Sequence, residues 1–241
     1  MKWYKSADGE QRIWFSEQEI EEVALDELRR ADLVPTLAEP VVDLERLIEA
    51  HLRSDLDQYA PLPNDVLGAT EFRADEKPRV QINAELTKSA EGKPLSGTYG
   101  RWRATMAHEA AHVFLHRVLF ELNPNQGLLF DAEPSTTARP RLLRCLQRNI
   151  VGRGGGDWRE VQANRGMAAV LMPASFYRQL AREEMDAIGA SRSDLEADRQ
   201  KLDDLIRRLA QRCGVSQQAA GIRLETLELA PQAGSVSLDL G

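Results

Sequence analysis

Two histidines stand one helical turn apart inside the longest helical pattern of the chain. Apolar side chains recur at helical spacing from Thr98 to Leu122, and His108-Glu109-Ala110-Ala111-His112 lies in the middle of that stretch. Residues i and i+4 share one face of a helix, so both imidazoles can bind a single zinc ion. Glu109 lies beside the first histidine and can accept a proton from a water molecule on that metal. The motif therefore predicts a helix that binds a metal ion on one face.

A catalytic zinc ion needs a third protein ligand and an open fourth position. Glu160 is the candidate for this ligand, because it lies in the first turn of a second helical pattern that follows the glycine-rich break Gly152–Gly156. That pattern runs to Met172 and stops at Pro173, which cannot continue a helix. Glu160 also fits a capping box with Asp157, three residues earlier. The residues alone leave both interpretations of Glu160 open.

The composition predicts a globular protein with an ordinary core. Hydrophobic residues make up 42% of the 241 residues and charged residues 29%, which excludes a largely disordered chain. Acidic residues outnumber basic ones by 38 to 31, and the net charge of −7 argues against a general nucleic-acid coat. No apolar run approaches the ~20 residues of a membrane span, and the N-terminus lacks the apolar stretch of a secretory signal. Because Cys145 and Cys213 are too few for a disulfide framework, we expect a cytoplasmic protein with no membrane partner.

Local patterns predict the elements around the two motifs. They are a helix from the capping box at Ser16 to Ala31, a helix over Val41–Leu52, strands at Val66–Phe72 and Arg79–Asn83, a short basic helix over Arg141–Asn149, one helix from Ser193 to Gly214, and a last helix from Ser216 to Leu227. The proline-rich stretch Asn123–Pro140 and the glycine-rich stretch Gly152–Gly156 are predicted as loops. We predict a first domain over residues 1–190 and a helical C-terminal module with a loose tail over 191–241.

Together the motifs resemble those of the ImmA/IrrE metallopeptidases. Members of that family typically show an Ala-His-Glu-x-x-His helix, and later a helix with Glu-x-x-Ala-Asn followed by small residues and Leu-Met-Pro. In this sequence Ala107 to His112 matches the first motif, while Glu160, Ala163-Asn164 and Leu171 to Pro173 match the second. The order and spacing of the motifs agree, and the likeness covers roughly Leu44 to Leu227.

The resemblance implies an α+β fold with a zincin-like peptidase core, in which a small sheet packs on helices, and a helical C-terminal module. It implies Zn²⁺ as the cofactor, with His108, His112 and Glu160 as ligands and Glu109 as the general base of peptide hydrolysis. It also implies a protein substrate, namely a helix-turn-helix transcriptional repressor that is cleaved in a stress response or in the regulation of a mobile element.

Two further polar residues lie close to these motifs in the sequence. Asn164 is one turn beyond Glu160, where it can hydrogen-bond that carboxylate, bind a substrate backbone or simply pack between helices. His116 is one turn beyond His112, and helical rise places it ~12 Å from His108, too far to share one tetrahedral site. His116 is therefore either a packed histidine or a residue that holds a metal ligand in place.

Three other side chains are candidates for stabilising a tetrahedral intermediate. Hydrolysis of a peptide bond places negative charge on an oxygen, which a phenol or a guanidinium can stabilise. Tyr177, Arg101 and Arg103 have the required chemistry, and the sequence does not choose among them.

Two other functions compete with peptide hydrolysis. One is a catalytically silent zinc-binding interaction module. The other is a DNA-binding regulator, because Leu205–Cys213, a glycine turn and Gln217–Leu227 have the helix–turn–helix cadence, with arginines at 207, 208, 212 and 223. Glu225 and Glu228 in and after the second helix, together with the acidic balance of the chain, argue against direct nucleic-acid binding.

Overall fold

The computed structural model describes residues 2–5, 11–73, 76–93, 96–122, 141–146 and 158–230. Over these ranges the protein is α+β and mostly helical, which agrees with the predicted fold class in outline. No helix among them combines the length and the apolar character that crossing a membrane would require. The loops predicted at Asn123–Pro140 and Gly152–Gly156 lie outside the described residues.

Short strands dominate the early part of the chain, and helices dominate the part after Ala84. The strands are β1 (Lys2–Lys5), β2 (Gln11–Trp14), β3 (Asp55–Ala60), β4 (Val66–Phe72), β5 (Arg79–Asn83) and β6 (Arg141–Leu146). The helices are α1 (Glu17–Ala31), α2 (Leu44–Arg46, continued by a π-turn over Leu47–His51), α3 (Ala84–Ala90), α4 (Gly97–Leu122), α5 (Trp158–Leu171), α6 (Ala174–Ala187), α7 (Arg192–Ala197), α8 (Arg199–Cys213) and α9 (Gln217–Thr226).

A four-stranded sheet with the order β3-β5-β4-β6 lies against helix α4. β3 and β5 are parallel, whereas β4 pairs antiparallel with both β5 and β6. Every residue of β4 is buried, because β4 has a strand on each side and α4 across one face. A separate antiparallel pair, β1 and β2, runs from Lys2 opposite Trp14 to Lys5 opposite Gln11. β2 also contacts α4, so the N-terminal strands reach the central helix.

Close contact between α4 and α5 forms the centre of the molecule. The buried face of α4 carries small side chains, among them Ala107, Ala110 and Ala111. On α5, a Cβ added at Gly166 would lie 2.7 Å from the Cβ of Ala111, so only glycine allows this approach.

Apolar side chains from α1 to α9 complete a shared core around α4. Residues on both sides of the predicted boundary at 190, such as Leu171 and Leu205, belong to this core. The two-domain division itself stays a prediction.

Helix ends confirm several of the sequence predictions. Ser16 forms the predicted capping box with Glu19 at the start of α1. Gly214 ends α8 with a φ of +64°, which is the left-handed conformation that glycine adopts at helix ends. Ser216 caps α9 through a hydrogen bond from the backbone of Ala219.

Other local predictions are wrong, each for a physical reason. Residues 141–146 form strand β6 rather than a basic helix, because pairing with β4 satisfies their backbone groups and overrides a weak helical pattern. The helix predicted from Ser193 to Gly214 is two helices, since Asp198 takes an extended conformation and caps α8. The helix predicted over Val41–Leu52 starts only at Leu44, where Asp43 caps it, and strand β3 was not predicted.

The contact at Gly166 generates a stability prediction. Gly166→Ala should lower the free energy of unfolding by roughly 1–3 kcal/mol, because its new methyl group overlaps Ala111 and approaches Leu115 Cδ1 to 3.2 Å. Gly221→Ala, in the interior of α9, is the matched control, since its Cβ meets Ile206 at an ordinary 3.4 Å and should stabilise by about 0.5–1 kcal/mol. Urea unfolding measures both, and a Gly166→Ala protein as stable as wild type would contradict the close packing.

Candidate metal centre

Three side chains from two helices converge on one point. His108 and His112 project from the same face of α4, and their Nε2 atoms lie 3.0 Å apart. Glu160, in the first turn of α5, places Oε2 at 3.3 Å from His108 Nε2 and Oε1 at 3.2 Å from His112 Nε2. Both histidines are fully buried, and the Glu160 side chain is 15% exposed. The structure therefore brings together the three residues that the sequence nominates as metal ligands.

The spacing of these three groups fits a tetrahedral metal ion. Zinc bonds to nitrogen and oxygen are about 2.0–2.1 Å long, so tetrahedral geometry separates neighbouring ligand atoms by roughly 3.3 Å. The observed separations of 3.0, 3.2 and 3.3 Å lie close to that value. Two imidazoles and one carboxylate are also a donor set that zinc accepts in catalytic sites. Among the described residues, no further histidine, cysteine or carboxylate joins this cluster.

Each histidine has a hydrogen-bond partner behind it. His108 Nδ1 lies 3.0 Å from Asn164 Oδ1, and because a carbonyl oxygen only accepts, the imidazole donates there and keeps a lone pair on Nε2. Asn164 thus contacts a histidine rather than Glu160 through this oxygen. His112 Nδ1 lies 3.0 Å from His116 Nδ1, which places His116 directly behind the second of the two candidate histidine ligands.

Glu160 is held in its charged form. In the metal-free protein, burial raises the pKa of Glu160, but hydrogen bonds and positive charge from protonated His108 and His112 outweigh burial and hold that pKa below its usual value. A bound cation takes the place of those protons when the Nε2 lone pairs bind it. A carboxylate that stays ionised is the form that can bind a cation.

The pKa of Glu109 is shifted in the opposite direction. Its side chain is fully buried, and this burial raises the pKa of Glu109 to about 8, although His108 and the hydroxyl of Thr70 oppose the shift. Thr70 Oγ1 donates to Glu109 Oε2 at 2.6 Å, while Oε1 has no hydrogen-bond partner among the described residues. A Cβ on Gly68 would lie 2.7 Å from that free Oε1, so β4 passes close to the carboxylate. The strand fixes one oxygen of Glu109 and leaves the other available.

The comparison with protein families agrees with this geometry. The sequence profile of the IrrE N-terminal-like domain family, Peptidase_M78, matches residues 98–225, which is more than half of the chain. This chain belongs to that family. The match includes α4 and α5 with all three clustered residues, confirms the resemblance to the ImmA/IrrE proteins, and supports a metallopeptidase-type function. A search of curated proteins finds no match.

Within this Peptidase_M78 chain, two residues nominated to stabilise the oxyanion are engaged in the core. Tyr177 is fully buried in α6, and its hydroxyl donates to the carbonyl of Ala220 in α9 at 2.8 Å. Burial raises the pKa of Tyr177 well above its usual value, so the phenol stays protonated. Arg103 is buried and donates to the carbonyl of Val42 at 2.9 Å, whereas Arg101 is exposed near the start of α4.

Four arginines suggested that the last two helices bind DNA. In the structure these arginines contact acidic or carbonyl groups of the same protein. Arg207 and Arg208 both pair with Asp204, and Arg212 pairs with Glu184 at 2.7 Å. Arg223 is 4% exposed and donates to the carbonyl of Met172 and to Glu21. Their charges are therefore largely matched within the protein.

The sequence interpretation missed two residues of this site, Thr70 and Gln162. Gln162 Oε1 lies 3.2 Å from His116 Nε2, and its own amide group donates to the carbonyl of Ile13. Thr70 could have been found as a hydroxyl within a mostly apolar strand, because a buried hydroxyl needs a partner. Gln162 gave a similar signal, a polar residue on the packed face of α5, but its partners lie 46 and 149 residues away.

The buried state of Glu109 generates a pH prediction for metal-free protein. The unfolded chain releases the Glu109 proton near its usual pKa of 4.5, whereas the folded chain holds it up to about pH 8. A raised pKa stabilises the fold at low pH, and this contribution is lost as pH rises from about 5 to 8, with a slope of up to ~1.4 kcal/mol per pH unit. Glu109→Gln, which does not titrate, should show no such loss.

Urea unfolding with a chelator present, at several pH values between 5 and 8, measures the difference between the two proteins. Wild type should lose stability relative to Glu109→Gln as pH rises. Parallel curves would mean that Glu109 does not carry a raised pKa in the metal-free fold.

Proposed function

We propose that this protein is a zinc-dependent endopeptidase, in which His108, His112 and Glu160 hold one zinc ion and Glu109 is the general base. The observation that carries the proposal is the convergence of the three ligand atoms at tetrahedral spacing. Family membership supports the same function independently. We further propose that the core is zincin-like and that the helices from residue 191 onward form a module beside it.

Among the described residues, a cluster of three ligands favours a catalytic zinc site over a structural one. Structural zinc sites use four protein ligands, while catalytic sites use three and leave the fourth position to water or substrate. Three ligand residues cluster within the described part of the chain. A fourth position of this kind is what a peptide carbonyl would need.

Zinc, when bound, supplies a Lewis acid that polarises the scissile carbonyl and makes a water molecule more acidic. The residues of the chain move the protons. Glu109 accepts one proton from the attacking water at Oε1, because Thr70 already occupies Oε2. The same oxygen then passes the proton to the leaving amine. Burial makes this carboxylate a stronger base than an exposed glutamate, which suits the first of these transfers.

The substrate is proposed from the family resemblance. We propose a protein substrate, and as its class a helix-turn-helix transcriptional repressor whose cleavage relieves repression in a stress response or in a mobile element. The proposed location is the cytoplasm, where such repressors meet their DNA.

Glu109→Gln tests the mechanism directly. Glutamine keeps the shape of the side chain but cannot accept the proton, so turnover should fall by at least about 10²-fold while zinc content stays unchanged. Cleavage is measured by gel and mass spectrometry against a panel of helix-turn-helix repressors, with casein as an unrelated protein. Elemental analysis measures the zinc.

Glu184→Gln is the control for this experiment, because Glu184 is also a buried carboxylate but pairs with Arg212 rather than with a residue of the metal cluster. It should keep the activity of the wild type. Retained turnover in zinc-loaded Glu109→Gln would exclude Glu109 as the base. Zinc-loaded wild type that cleaves none of the proteins would instead favour the silent binding module.

A further inference from the structure

A chain of hydrogen bonds connects the second metal-ligand candidate to the N-terminal strand β2. His112 Nδ1 lies 3.0 Å from His116 Nδ1, and His116 Nε2 lies 3.2 Å from Gln162 Oε1. Gln162 Nε2 in turn lies 3.1 Å from the carbonyl oxygen of Ile13. His112, His116, Gln162 and Ile13 have at most 1% of their surface exposed, so water does not compete for these contacts.

The donors and acceptors in this series of hydrogen bonds follow from its last member, the carbonyl group of Ile13. The carbonyl of Ile13 can only accept, so the amide group of Gln162 donates to it. This contact turns Gln162 Oε1 toward His116, and an amide oxygen again only accepts. His116 must therefore carry a proton on Nε2.

The remaining contact fixes the tautomer of His112. Burial disfavours the charged form of His116, and a neutral imidazole carries a single proton. Because that proton is on Nε2, the Nδ1 atom of His116 presents a lone pair to His112. His112 then donates from Nδ1 and keeps its lone pair on Nε2, the atom that lies 3.2 Å from Glu160 Oε1.

We propose that His116 and Gln162 are positioning residues for the metal centre, which hold His112 in the tautomer and orientation that bind the metal, with strand β2 as their anchor. The proposal rests on the proposed function, because it takes His112 as a ligand. His108 is held by Asn164 of α5 through a hydrogen bond. The series of hydrogen bonds behind His112 passes through Gln162 of α5 and ends at Ile13 in strand β2. Partners of this kind typically contribute about 10–100-fold to metal affinity.

A purely structural role for the same residues makes a different prediction. Buried hydrogen bonds that only stabilise the fold would change the free energy of unfolding equally with and without metal. A positioning role changes the affinity for zinc. The experiment therefore measures zinc affinity by chelator competition, and stability in chelator alone.

Two substitutions at one position form the central comparison. His116→Asn keeps an oxygen acceptor close to the original Nδ1, while His116→Leu removes the acceptor for His112. We expect His116→Leu to lose roughly 10–100-fold in zinc affinity. His116→Asn keeps the acceptor for His112 but loses the contact with Gln162, so it should lose clearly less than His116→Leu and about as much as Gln162→Met. The absorption spectrum of bound Co²⁺ should change for His116→Leu and remain close to wild type for His116→Asn.

Gln162→Met tests the next link, with Asn83→Leu as its control. Asn83 is a buried amide that donates to the backbone carbonyls of Pro63 and Val66 rather than to a residue of α4 or α5. We expect Gln162→Met to weaken zinc binding and Asn83→Leu to lower stability without changing zinc affinity. Gln162→Met also keeps the test valid if His116→Leu does not fold.

The tautomers themselves can be observed. Long-range ¹H–¹⁵N spectra of the zinc-loaded protein should show His116 protonated at Nε2 and His112 protonated at Nδ1. A His116 ring protonated at Nδ1 would overturn the inference, as would equal zinc affinities for His116→Leu and His116→Asn. Wild type that binds no zinc at all would overturn the proposed function instead, and the inference with it.

Discussion

The contact between α4 and α5 is the constraint on which the rest of the site depends. α4 supplies His108, His112 and His116, while their partners Glu160, Gln162 and Asn164 all come from α5. Every one of these polar contacts crosses a helix interface that Gly166 and the small residues of α4 keep narrow. A wider separation would break all of them together, since hydrogen bonds and metal bonds have little tolerance in length.

Different surroundings give the two carboxylates opposite properties. Glu160 faces two imidazoles and stays ionised, which suits its proposed role as a metal ligand, whereas Glu109 lies under β4 with a raised pKa, which suits its proposed role as a general base near neutral pH. Pairs of acidic groups whose surroundings push their pKa values apart are a common basis for dividing catalytic tasks. Both carboxylates lie close to His108, so this histidine does not account for the difference between their pKa values. The difference arises from the other groups around each carboxylate.

Local spacing predicts the pair of histidines, the family resemblance adds Glu160, and neither predicts the residues that support this cluster. His108 and His112 follow from the i, i+4 rule, and the spacing from Glu160 to Asn164 indicated a second polar helix face. Thr70 and Gln162 act through partners 39 to 149 residues away, and such distances are set by how strands and helices pack. The same limitation explains β6, whose pairing with β4 outweighed a local preference for helix at residues 141–146.

The central claim is that His108, His112 and Glu160 hold one zinc ion. Elemental analysis of wild type, Glu160→Ala and the exposed control Glu85→Ala, each exposed to excess zinc and then dialysed, tests it most directly. We expect about one zinc per chain in wild type and in Glu85→Ala, and a clear loss in Glu160→Ala. Folded wild type without zinc, or undiminished zinc after the loss of Glu160, would contradict it.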